Sequence, residues 1–389
     1  MGMDMTAGTL PRARVGGAAL SGGLPTAAAL LLGSLITLVG LTWDVQWHTD
    51  VGPDTFFTLP HLFLYAGSAI AGLASLTAVL AATAAQRAGR DPDPVAGGVP
   101  VAVLGVFKAP VGHLVAGCGA ASFLVYGLWD LWWHSLYGFD AVIESPPHIG
   151  LLLSVMATMV GTAVVFAAAF EHRWGKVGLV VSLGALAAFS TIVVLGLTSV
   201  DGPFEAVYTA MAWLVVMLVV TAGGFARKAG LMVWVAAALG VVQLVGWWFS
   251  PWAARVYAES VGLPVRDYVR GVPVMPALMP MLLIPVALLL ELFAARARRG
   301  AGWAPVVGGG VAGAVLAGVQ GVQDSLVYGY RVQVAQLLPN AVAGLVVGLL
   351  AGFLGWRFGR MLRAANPGAP TRSDTAIPAP AVPAAVKEA

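Results

Sequence analysis

Charge is what this chain lacks most. Only 10% of its 389 residues are Asp, Glu, Lys or Arg, where a soluble domain carries about 25%. So few charges cannot cover a water-facing surface, and a soluble globular protein is excluded. Cysteine is almost missing as well. The single Cys118 sits in an apolar segment, which rules out an internal disulfide and a thiolate metal cluster. A signal-peptide pattern is also lacking: the first apolar run leads into polar residues rather than a small-residue cleavage site. It reads as the first membrane span.

What the chain has instead is apolar length. It is 59% hydrophobic with a mean hydropathy of +0.86, and its apolar runs match the roughly 20 residues that cross a bilayer. The predicted fold is all-α, a polytopic transmembrane bundle built from helical hairpins. About ten spans are expected, near 25–48, 59–85, 110–134, 147–170, 176–199, 205–223, 229–250, 272–295, 303–321 and 335–357. Their connections alternate between basic (Arg87, Arg90, Lys108; Arg173, Lys176; Arg227, Lys228; Arg296, Arg298, Arg299) and acidic or mixed (Asp50, Asp54; Asp140, Glu144; Asp201, Glu205). The positive-inside rule then predicts a protein of the inner (plasma) membrane with both termini cytoplasmic. The sequence pI of 9.1 reflects these loops and not nucleic-acid binding.

Four regions are expected. Residues 1–22 form a poorly ordered N-terminal segment, 23–172 carry the motif-bearing hairpins, and 173–363 add further spans. Residues 364–389 are a Pro/Ala-rich disordered tail. The outer connection Ser250–Gly271 reads either as an interfacial amphipathic element or as a plain loop.

One motif occurs twice: Trp43-Asp44-x-x-Trp47-His48 and Trp129-Asp130-x-x-Trp133-His134. Each copy continues with Gly52 or Gly138, Asp54 or Asp140, and a Pro-His pair, Pro60-His61 or Pro147-His148. Asp130 lies 86 residues after Asp44, and four of the six histidines fall in these patches. Asp44 and His48 are four apart and project from one helix face. The Gly52-Pro53 turn and the helix start at Pro60 let His61 return toward that face. Asp130, His134 and His148 repeat the arrangement. Two neutral imidazoles and a carboxylate suit copper, iron or zinc and leave coordination positions open. A carboxylate near the hydrocarbon edge costs roughly 2.5–3.5 kcal/mol, which a bound divalent ion would offset. The same residues would also serve as hydrogen-bonded Asp/His clusters at the interface, but two copies with the same Asp-x3-His spacing and second-His intervals only one residue apart favour metal sites near the outer face. Asp54 and Asp140 suit turn-forming or ligand-orienting roles, and Asp50 and Glu144 read as solvated loop charges. His113 and His172 read as structural. The tryptophans read chiefly as interface anchors and packing residues.

A fainter echo, Gln323-Asp324-x3-Tyr328 followed by Leu338-Pro339-Asn340, suggests a third hairpin without imidazoles, and Gln243-x3-Trp247 with Pro276 is fainter still.

At these residues the chain resembles the C subunit of the copper membrane monooxygenases, the particulate methane and ammonia monooxygenase family. Asp44, His48 and His61 match that subunit's Asp-x3-His-x12-His pattern. Asp130, His134 and His148 match the spacing of its second pattern, Asn-x3-His-x13-His, with Asp in place of Asn. The resemblance covers about residues 25–170 and implies copper as cofactor, O2 activation, a small apolar substrate, and further membrane or cupredoxin-like subunits as partners. The alternative is a non-catalytic copper- or zinc-binding, chaperone or transport protein.

Overall fold

A computed structural model describes residues 22–52, 55–138 and 143–364. The segments expected to be poorly ordered lie almost wholly outside these residues, as do Asp54 and Asp140. Helices dominate the described chain: α1 (Leu24–Asp50), α2 (Leu59–Arg87), α3 (Val111–Tyr137), α4 (Pro146–Ala168), α5 (Arg173–Leu195), α6 (Ala206–Phe225), α7 (Leu231–Val261), α8 (Val274–Leu278), α9 (Leu283–Arg298), α10 (Ala304–Tyr328) and α11 (Val334–Ala364). Two four-residue strands, β1 (Pro100–Val103) and β2 (Phe107–Pro110), pair as an antiparallel hairpin between α2 and α3.

Nine of these helices are long and apolar enough to cross a membrane. The eighth predicted span is the exception, because it is broken into α8 and α9. Proline explains the break. Pro280 has no N–H to donate and drives the residue before it out of helix, and Met279 is extended at φ −65°, ψ 132°. Backbone groups freed in a bilayer must find partners inside the protein. Glutamines supply them here. Gln243 Nε2 donates to the Pro276 and Met279 carbonyls, Gln323 Nε2 to Ala277 and Met279, and Gln323 Oε1 accepts from Met281 N–H. Both faint motif echoes are therefore used to mend this break.

The broken pair still reaches from the end of α1 to the start of α7. Val274 N–H reaches Gln46 near the end of α1, while Glu291 on α9 accepts from Gly230 N–H at the start of α7. Ser250–Val261, expected as loop or interfacial element, instead continues α7, with Pro251 inside the helix. Its residues Phe249, Tyr257 and Ala254 pack on Trp43 of α1, and that packing holds the extra turns helical.

Small residues set the closest helix pairs. Gly33 of α1 meets the Gly67 backbone and Ala71 of α2; Gly112 of α3 meets Gly161 of α4; Gly309 and Gly313 of α10 meet Gly344 and Gly348 of α11. In lipid such close backbone approach replaces the hydrophobic effect as the force between helices. The two motif hairpins are tied at depth by Ser34 Oγ and Thr162 Oγ1, 3.1 Å apart and buried. The variant Gly33→Leu is expected to overpack α1 against α2 and cost about 1–3 kcal/mol. A thermal melt in detergent reads this as a lowered midpoint, and an unchanged midpoint would refute the packing argument.

Candidate metal centre

The motif works because its residues fall on two adjacent stripes of one helix. Trp43 and Trp47 are one stripe; Asp44 and His48, each one residue later, are the next, about 100° around the axis. On α1 the Trp stripe turns toward α7, where the buried Trp47 ring packs against Tyr257 with centroids 4.8 Å apart and the planes tilted by 44°. The ligand stripe then faces α2 and α4.

His61 enters from the first turn of α2, and its Nε2 lies 3.2 Å from Asp44 Oδ1; His48 Nε2 lies 3.8 Å from the same oxygen. In the second copy Asp130 Oδ1 is 3.3 Å from His134 Nε2 and 3.2 Å from His148 Nε2. The two imidazole Nε2 atoms of that copy are 3.4 Å apart. All three ligand atoms of each triad lie within 4.8 Å of one another, a grouping that could hold a metal ion. Every candidate ligand named from the sequence is thus brought into its expected triad.

The chain around each triad also orients its rings. His61 Nδ1 is 3.1 Å from the Thr55 carbonyl, in a turn closed by Thr58 Oγ1 donating to that same carbonyl. His134 Nδ1 is 2.9 Å from the Gly138 carbonyl. A carbonyl oxygen accepts only, so each of these Nδ1 atoms carries a proton and each Nε2 faces the carboxylate. Two ring nitrogens and one carboxylate oxygen converging on a single point are a donor set that suits a divalent ion. The repeated glycine has its own reason: Gly138 stands at φ +82° and Gly52 at φ +121°, where a side chain would be strained.

Both triads open into one cavity of about 350 Å³. Asp44 lies within Coulombic range of His148 as well as of its own two histidines. Leu41, Leu64, Phe123 and Val155 line the cavity a turn or two deeper along α1, α2, α3 and α4 than the ligands. Ile192, Leu195 and Thr198 close another side from α5 and the turn after it.

No family model, curated protein or solved structure matches this chain. The site therefore stands on its own geometry.

Several supporting residues escaped the sequence reading. Arg266, beyond α7, donates from Nη1 to the His48 and Thr49 carbonyls, placing a cation where the α1 macrodipole ends. Asp50, expected as a solvated loop charge, is buried and accepts from Gln46 Nε2 at 2.9 Å; it belongs to the clamp that joins α1 to the α7–α8 connection. The signal for this was inside the motif. The position that is Gln46 in the first copy is Trp132 in the second, and Trp132 is 55% exposed. Only the first copy carries the amide that anchors Val274. Glu144 is exposed, as expected, with Ser199 Oγ 3.4 Å away.

His113 is fully buried and His172 stacks on Trp174, both away from the cavity. In the α10–α11 hairpin the echo of the motif is a plain hydrogen-bond cluster. Tyr208 donates to Asp324 Oδ2 at 2.6 Å, Gln320 to Oδ1, and Asn340 Oδ1 accepts from Glu205 N–H.

Proposed function

We propose that this chain is a copper-dependent, monooxygenase-like membrane protein that oxidises a small apolar molecule drawn from the bilayer. Asp44, His48 and His61 hold one ion in this reading, and Asp130, His134 and His148 hold the second, both toward the outer face of the inner membrane. The observation that carries it is the shared cavity: six ligand side chains at one level and an apolar chamber beneath them. Bound copper supplies the redox chemistry with O2 that no side chain provides.

The chain's own residues do the rest. Thr55 and Gly138 carbonyls fix the tautomers of His61 and His134, as supporting partners do at metal sites generally. Leu41, Leu64, Phe123 and Val155 offer an apolar molecule a dry bed. They offer a departing ion nothing, which sets this reading above ion transfer through the bundle. Such an oxidation inserts one oxygen atom into a C–H bond and reduces the other to water, so a donor must deliver two electrons and two protons are consumed. A cupredoxin-like partner or a further membrane subunit suits that role.

The test uses protein reconstituted in liposomes with copper, a chemical reductant and a short alkane. O2 uptake matched by alcohol formation is expected, and protein loaded with zinc is expected to give none. Equal O2 uptake by a variant lacking all six ligands, or stoichiometric zinc with no copper in the native protein, would overturn the proposal.

A further inference from the structure

At the end of the bundle opposite the triads, a groove of about 810 Å³ lies among the start of α5, the α6–α7 turn and the last turn of α11. Lys176, Arg227, Lys228 and Arg363 line it against one carboxylate, Glu171. Arg363 also lies within Coulombic range of Arg298 and Arg360. The nearby Glu291 is already engaged: it accepts from Gly230 N–H at 2.7 Å and from Arg298 Nη2 at 3.2 Å. Four cationic side chains in one groove repel one another, and a single carboxylate offsets only part of that charge. The cluster is short of an anion.

The same groove has an apolar half. Val177 and Trp234 are 64% and 66% exposed, and with Val180 and Val181 they extend its wall along α5 and α7. A free phosphate or a carboxylate metabolite would leave that wall bare. A headgroup with acyl chains attached uses both halves, since basic pockets between membrane helices are suited to anionic lipid headgroups.

We propose that this groove is a binding site for an anionic phospholipid, with its phosphate among Arg227, Lys228, Lys176 and Arg363 and its chains along Val177, Val180 and Trp234. Nothing in this argument depends on the metal centre.

The experiment is a thermal-shift titration of the full chain in neutral detergent. The probes are phosphatidylglycerol, phosphatidylcholine and inorganic phosphate. The proteins are the parent, an Arg227→Gln/Lys228→Gln variant, and an Arg87→Gln/Arg90→Gln variant that removes two exposed charges outside the groove. Saturable stabilisation by phosphatidylglycerol alone is expected. Its apparent affinity should fall roughly 30-fold in the groove variant, two charges at the strength expected beside an anionic lipid, and stay unchanged in the other. Equal weakening in both variants would mean diffuse surface attraction and would overturn the proposal. So would equal stabilisation by phosphatidylcholine, or the same saturable response to inorganic phosphate.

Discussion

Asp130→Ala, purified and reloaded with copper, is expected to hold about one ion fewer per chain than the parent while its first triad stays filled. Asp130 Oδ1 is the atom within 3.3 Å of both imidazoles of its triad. Removing it leaves two neutral nitrogens and no anionic ligand. Loss of a merely supporting partner lowers metal affinity by roughly 10–100-fold, and loss of a direct ligand should exceed that. Asp44→Ala should produce the mirror result, and the double variant should bind no copper at either triad. Metal analysis with electron paramagnetic resonance reads both quantities. A parent that binds no metal, or single variants that each retain two ions, would reduce the triads to interfacial hydrogen-bond clusters.

Leu195→Trp separates oxidation from ion handling. Leu195 ends α5 and faces the shared cavity without belonging to either triad. An indole there takes up part of the chamber and leaves all six ligands in place. The expected result is unchanged copper content with turnover lowered about 100-fold, the scale at which a reacting group displaced by about 1 Å loses rate. A protein that only stores or passes on copper would show no defect. Full turnover in this variant would mean that the substrate does not occupy the chamber, and the proposed route from the bilayer would fail with it.

Much of the site was legible because it is local. Asp44 and His48 share a helix face by spacing alone, and with only twelve residues between His48 and His61 the second histidine has little choice but to return to them. The repeat of that logic at Asp130, His134 and His148 made the reading specific. The eighth span was harder. Its apolar content reads as a continuous helix, and Pro276, Pro280 and Pro285 were the warning in the sequence. Whether such a segment survives in lipid depends on Gln243, Gln320 and Gln323 arriving from two other helices. The extension of α7 past Pro251 had a similar cause, since its last turns are held by contacts with α1 that no local pattern encodes.

The sequence by itself determined a membrane bundle, the order of its hairpins, and two Asp/His/His triads at one end. Those features follow from hydropathy, helical spacing and short loops, all properties of neighbours along the chain. The tertiary structure alone decided that the triads face a single cavity, that α5 walls it, and that Arg266 and Gln46 brace the first copy and not the second. These depend on which helices meet. In a bilayer that choice is made by small-residue contacts such as Gly33 with Gly67 and by isolated polar ties such as Ser34 with Thr162, which are scattered among distant segments and leave no periodic trace.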